Sequence, residues 1–235
     1  MTLNTLKIPM FFLIGLASWQ GFAAGQSDKS QRAKGIYFEE TFFPVYVKKN
    51  DFESQAGGST TQDVPTQTGW GIDTRTTLGY VWHSVLLGAT YNHYRVSSSR
   101  PSTADSEGLN ELTERQETGI SLGGYLGRWR FVYTYFLSAT KIFTQKYTDQ
   151  TTGAVTTDET RKNTDGTGFQ AAVGYDFIMG AGIGISPTLI YRTVTYGKQT
   201  YTVRTGTGSA YPSSDFRTKA VDSELRPMIT LNVVF

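Results

Sequence analysis

Cysteine is absent from these 235 residues, and histidine occurs only twice, at His83 and His93. No disulfide framework can form, and no cluster has the spacing of a metal site. Neither sign of charge dominates: Lys+Arg number 22 against 20 Asp+Glu, a net charge of +2. That balance excludes a basic surface for nucleic acid. Past the first 25 residues no apolar run is long enough for a transmembrane helix. The mean hydropathy of −0.31 would read as soluble in a hydropathy scan. A membrane β-barrel gives the same value, because only alternate strand residues face lipid.

What is present begins with MTLNTLKIPMFFLIGLASWQGFAA. Lys7 is its sole charge; an apolar run from Ile8 to Trp19 follows, then small residues at Gly21, Ala23, Ala24 and Gly25. This order is that of a secretory signal peptide over residues 1–25, with cleavage after Ala23 or Gly25. The apolar run is short for a membrane anchor helix, the competing reading. The remainder, 26–235, is long enough for one all-β domain. Its 25 Gly, 14 Tyr, 14 Phe and 4 Trp suit strands and turns.

Period-two alternation is the signature of a half-buried strand. From Thr68 to Trp82 one face carries Trp70, Ile72, Leu78, Tyr80 and Trp82; the other carries Gly69, Gly71, Asp73, Arg75 and Gly79. Phe169, Ala171, Val173, Tyr175 and Phe177 alternate with Gln170, Gly174 and Asp176. Ile183, Ile185, Leu189 and Tyr191 alternate with Ser186, Thr188 and Arg192. Trp129, Phe131, Tyr133 and Tyr135 oppose Arg130 and Thr134. Val85–Tyr91 and Ile120–Leu126 repeat the pattern, and the last segment sets Leu225, Ile229, Leu231, Val233 and Phe235 against Asp222, Glu224, Arg226, Thr230 and Asn232. The first segment, Gly35 to Val47, is the least regular: Glu39 and Glu40 are adjacent and Pro44 lacks a ladder donor, so a bulge that switches faces is expected there.

Eight strands result, and their connections alternate. Short turns fall at Trp82-His83-Ser84, Gly127-Arg128 and Gly180-Ala181-Gly182; long polar connections run over about 48–67, 96–116, 144–167 and 197–220. An antiparallel up-and-down transmembrane barrel sorts its connections this way, with short turns periplasmic and long loops outside; a Greek-key sandwich does not. Thr152-Gly153 and the Thr- and Tyr-rich fourth connection suggest hairpins that continue beyond the membrane. Trp70 and Trp82 lie twelve residues apart on one face. At about 3.3 Å per residue and a tilt of roughly 40°, that separation matches the apolar band between two aromatic girdles. The expected girdle residues are Trp70, Tyr80, Trp82, Trp129, Phe177 and Phe235.

The export signal, the strand parity and the closing Leu231-Asn232-Val233-Val234-Phe235 together resemble the small, eight-stranded bacterial outer-membrane β-barrel proteins of the OmpA/OmpX/OmpW size class. The resemblance spans the mature chain. It implies a bacterial outer-membrane location with both mature termini periplasmic, contact with outer-membrane lipids, and recognition of the Phe235 strand by the barrel-assembly machinery. A soluble lipocalin-like barrel, with its apolar face inward, is the alternative fold.

The interior of such a barrel is just filled by side chains. Here the lumen set is Asp73, Arg75, Arg130, Asp176, Arg192, Asp222, Glu224 and Arg226, with Glu39 or Glu40. Isolated buried charges are costly, so these groups must pair. The resulting reading is a structural or surface-display barrel without enzymatic activity; a narrow channel for ions or small solutes is the alternative, and a lipid-modifying enzyme a third. No catalytic, cofactor-binding or metal residue is assigned. His93 is followed by Tyr94 and Arg95, which departs from the His-x-Ser spacing of the lipid A deacylase barrels. A surface ligand at the long loops is open, and no nucleic-acid partner is expected.

Overall fold

The computed structural model describes residues 34–49, 52–53, 62–63, 66–102, 107–149, 152–180, 182–205 and 214–235. The signal peptide and its cleavage position lie outside them. Eight long strands make the wall: β1 (Gly35–Lys49), β2 (Gln67–Trp82), β3 (Val85–Arg100), β4 (Gly108–Leu126), β5 (Trp129–Thr148), β6 (Val155–Tyr175), β7 (Ile183–Thr205) and β8 (Ser214–Val234). Each pairs antiparallel with its sequence neighbour, and β8 pairs with β1 through Tyr37↔Val234 to Phe42↔Ile229. The ring is therefore closed. A short strand, Phe177–Gly180, pairs with the start of β7, and a two-residue ladder joins Phe52–Glu53 to Gln62–Asp63.

The alternation places side chains as a membrane wall requires. Ile36, Phe42, Ile72, Leu78, Leu87, Ile120, Leu122, Leu137, Leu189 and Ile229 are exposed on the outside. Tyr37, Glu39, Asp73, Arg75, Glu117, Arg130, Gln170 and Arg192 are buried inside. A soluble barrel would invert this arrangement. Two small apolar layers also fill the interior: Tyr37, Val81, Leu86, Val132, Ala172, Ile190, Met228 and Val234 form one, and Phe136, Ala139, Val194 and Tyr196 the other. The lumen is a packed core with a charged middle.

Three details depart from the sequence expectation. First, β1 has no bulge: its register with β2 runs unbroken from Gly35↔Val81 to Lys49↔Gln67. The adjacent acids simply take opposite faces, Glu39 inward and Glu40 outward. Register shifts occur instead at Thr118/Gly119 against β5, between Phe136 and Lys141 against β6, and at Tyr196/Lys198 against β8. Second, the ladder also runs into the second long connection, where residues 96–100 and 108–116 are strand; strand over 144–148, 155–167, 197–205 and 214–220 agrees with the hairpins expected there. Third, the β2–β3 turn places His83 and Ser84 at φ 48° and 71°. A two-residue hairpin of this kind needs positive φ at both positions, and here neither is glycine. Gly127, at φ 60°, supplies that conformation without strain in the β4–β5 turn.

Candidate functional site

Inward-facing residues converge on two charged networks. The lower one centres on Glu39 of β1. It forms ion pairs with Arg75 Nη2, 3.0 Å away, and with Arg130, and accepts from the Tyr37 hydroxyl. Arg130, on β5, also lies 3.6 Å from Asp176 and donates to Thr188 at 3.0 Å. Asp176, just past β6, receives Ser186 and the Asn232 amide, the latter at 3.1 Å. Two acids thus meet two guanidiniums.

The upper network centres on Glu117 of β4. Arg192 Nε donates to it at 2.6 Å, Arg115 Nε stands 3.1 Å away, and Asn92 donates at 2.9 Å. Arg192 Nη1 reaches Asp222 and Glu224, each at 3.2 Å, while Arg115 Nη1 lies 2.5 Å from Glu224. Lys141 donates to Asp222 at 3.1 Å. Arg226 pairs with Asp73 and, at 2.9 Å, with Glu224. Four carboxylates face four cations. Between the networks runs a belt of hydroxyls, Thr77–Thr90–Ser121–Thr134 and Thr41–Thr230–Thr188, with successive oxygens 2.5 to 3.0 Å apart. In a low-dielectric interior, such neutral sets of paired charges are what make buried charge tolerable.

All eight residues of the expected lumen set point inward and join these networks. Glu39 belongs with them; Glu40 does not. Glu40 faces outward and accepts from Thr76 at 2.6 Å, midway along the strand pair between Trp70 and Trp82. Arg115, Glu117 and Lys141 were absent from the sequence-derived set. The first lay inside an expected loop, and the other two sit where the alternation of β4 and β5 weakens. The girdle set, Trp70, Tyr80, Trp82, Trp129, Phe177 and Phe235, is exposed on the outer wall. Trp70 packs on Tyr46, with ring centroids 4.6 Å apart, and Trp129 meets Tyr175 edge-on. His93 stacks on Tyr91 on the outer face.

Above the upper network lies a cavity of about 430 Å³, lined by Tyr94, Arg115, Lys141, Phe143, Arg161, Asp222 and Glu224 among others. Higher still, at the rim, Glu111 accepts from Lys49 at 2.8 Å and from Gln67 and Gln145 at 2.7 Å each. Burial pushes its carboxyl up, but the three donors together outweigh that and hold it below its ordinary value of 4.5. Among the described residues no group of three His, Asp or Glu side chains could hold a metal ion.

An apolar outside around a charged, filled inside defines the class: a small membrane β-barrel of the outer-membrane type. No family model matches the chain, and no curated protein matches it. Among solved structures it is similar to the outer membrane protein AlkL, determined by solid-state NMR in DMPC bilayers, at 12% identity over 91% of this chain and 95% of that one, with a TM-score of 0.33. It is also similar to the beta domain of the Bordetella autotransporter BrkA, at 8% identity over 86% and 100% of the two chains, with a TM-score of 0.18. The class assignment rests on the pairings and on the inside-out polarity.

Proposed function

We propose that this chain is a bacterial outer-membrane barrel with a closed lumen, acting without catalysis by anchoring and presenting its tall extracellular rim. The short turns and both mature termini face the periplasm in this reading. The observation that supports it best is the pair of neutral networks whose members Glu39, Arg130, Asp176, Glu117 and Arg192 are all buried. A water or ion path would have to part them. In planar bilayers the barrel should be electrically silent; stepwise conductance would overturn the reading in favour of a narrow channel. Lipid A and phospholipid profiles should be unchanged on overexpression, whereas a new lipid species would establish the enzymatic alternative. Recognition by the barrel-assembly machinery is assigned to the β8 strand and Phe235; Phe235→Lys should lower the folded fraction recovered in outer membranes, and unaltered recovery would remove that role.

A further inference from the structure

The β1–β8 seam is the weak line of the wall. Its ladder stops at Phe42↔Ile229, whereas β1 pairs with β2 along its whole length, up to Lys49↔Gln67. Extending the seam register by two residues sets Pro44 opposite Pro227. Phe235 N donates to Ile36 O at 2.9 Å, so even-numbered residues of β1 and odd-numbered residues of β8 turn their backbone bonds toward each other. On the other side of β8, Val234 N donates to Gly182 O at 3.1 Å, so its even positions bond to β7. Pro44 and Pro227 therefore occupy a rung at which both donors are missing. The ladder does not resume above them, although Tyr46, Lys48, Leu225 and Ser223 all carry an N–H.

The place of this gap matters. Pro44 pairs with Ile72 and Tyr46 with Trp70, so the strands part just below the outer aromatic ring. The inner-face charges of β8 beside the gap are more open than the centre of the upper network: the side chains of Asp222, Glu224 and Arg226 are 23%, 25% and 14% exposed, against 0% for Glu117 and Arg192. Asp222 and Glu224 also line the 430 Å³ cavity. The inner face of the opposite lip is apolar, with Phe43, Val45 and Val47. Unpaired backbone is tolerated at membrane depth only where it lines protein or a water-filled cavity, and the cavity borders the β8 side of the gap through Asp222 and Glu224.

We infer that the β1–β8 seam above Pro44 and Pro227 is a lateral portal, through which a single-chain amphiphile with an anionic head places that head in the cavity and its chain along the β1 lip. The inference rests on the membrane-embedded reading above. The head must be anionic because the acids are already engaged: Asp222 takes Lys141 and Arg192, and Glu224 takes Arg115 and Arg226. Around the cavity itself cations outnumber acids, with Arg161 held only loosely by Glu159 at 4.0 Å. Arg161 adds a third cation to the lining, and buried Arg115 Nη2 has no hydrogen-bond partner. Closed lower networks leave the chain no route to the periplasm, so the portal is for capture from, or release into, the outer leaflet.

The test uses the full chain in bilayer nanodiscs, a diazirine-bearing dodecanoate as probe and its trimethylammonium counterpart as charge control. Dodecanoate should label Phe43, Val45 or Val47, and the cationic probe should not. Pro44→Thr with Pro227→Thr restores both donors; it should abolish that labelling and protect the Tyr46 and Lys48 amides from hydrogen exchange. Pro187→Thr, at a position that pairs with Ile229 across the β7–β8 ladder and not across the seam, should leave the labelling intact. Adducts on outward Leu87 and Leu122 report embedding separately: their absence sinks the membrane reading. Their presence without lip adducts, equal lip labelling by both probes, or protected Tyr46 and Lys48 amides in the unaltered chain overturns the portal.

Discussion

Arg130 touches Glu39, Asp176, Tyr37 and Thr188 from a fully buried position. Removing its charge leaves buried Asp176 without its cation and Glu39 with Arg75 alone, so Arg130→Met should cost about 3–5 kcal/mol, read as a drop in the urea midpoint in detergent. Glu40 makes the opposite case. It faces hydrocarbon at mid-wall with one hydroxyl partner, and Glu40→Leu should raise stability in bilayers; a fall would mean that the carboxyl has a partner in the membrane. At the β2–β3 turn, Ser84 stands at φ 71°. Ser84→Gly relieves that strain and should stabilise by roughly 1 kcal/mol. Glu111 carries the pH dependence of the rim. Its carboxyl is held below the ordinary value in the folded state, so its contribution is present above pH ~4.5 and lost as pH falls through the depressed value. Amide exchange near Gln67 and Gln145 should accelerate on that descent, and Glu111→Gln should remove the step.

At the level of the strand, legibility followed the solvent. In β2, β7 and β8 one face meets lipid and the other a charged interior, so Trp70-Gly71-Ile72-Asp73 or Tyr191-Arg192 betray their sides directly. In β1 the neighbours Glu39 and Glu40 obscured the pattern, because an acid on the outer wall breaks the rule that alternation relies on. Beyond the membrane both faces meet water. Residues 108–116 are strand, yet their polar side chains carry no clean period of two, which is why they read as loop; the strands over 155–167 and 197–205 were legible only through the Thr152-Gly153 turn and the Thr- and Tyr-rich composition. The ion pairs were predictable in kind but not in partner. Arg192 meets Glu117, 75 positions away, and only strand stagger decides that meeting. The outer face makes a direct prediction: Leu122→Arg on β4 should destabilise by about 2–4 kcal/mol, while an arginine in the extramembrane hairpin, as in Thr156→Arg, should cost close to nothing. Equal effects at both sites would move the bilayer off the assigned band.

Taken whole, the molecule is a ring sealed by its least continuous joint. Seven of its eight ladders join sequence neighbours, while the eighth brings Tyr37 against Val234. Hairpins of neighbouring strands can zip locally, but this last contact must wait until nearly the entire polypeptide is in hand. Long-range pairing of that kind is slow, because the chain between the partners loses its freedom before any reward is collected. The rate at which this protein matures should accordingly be governed by when its two ends find each other. Substitutions at Tyr37 or Val234 should therefore delay folding more than equally buried substitutions within the β4–β5 hairpin.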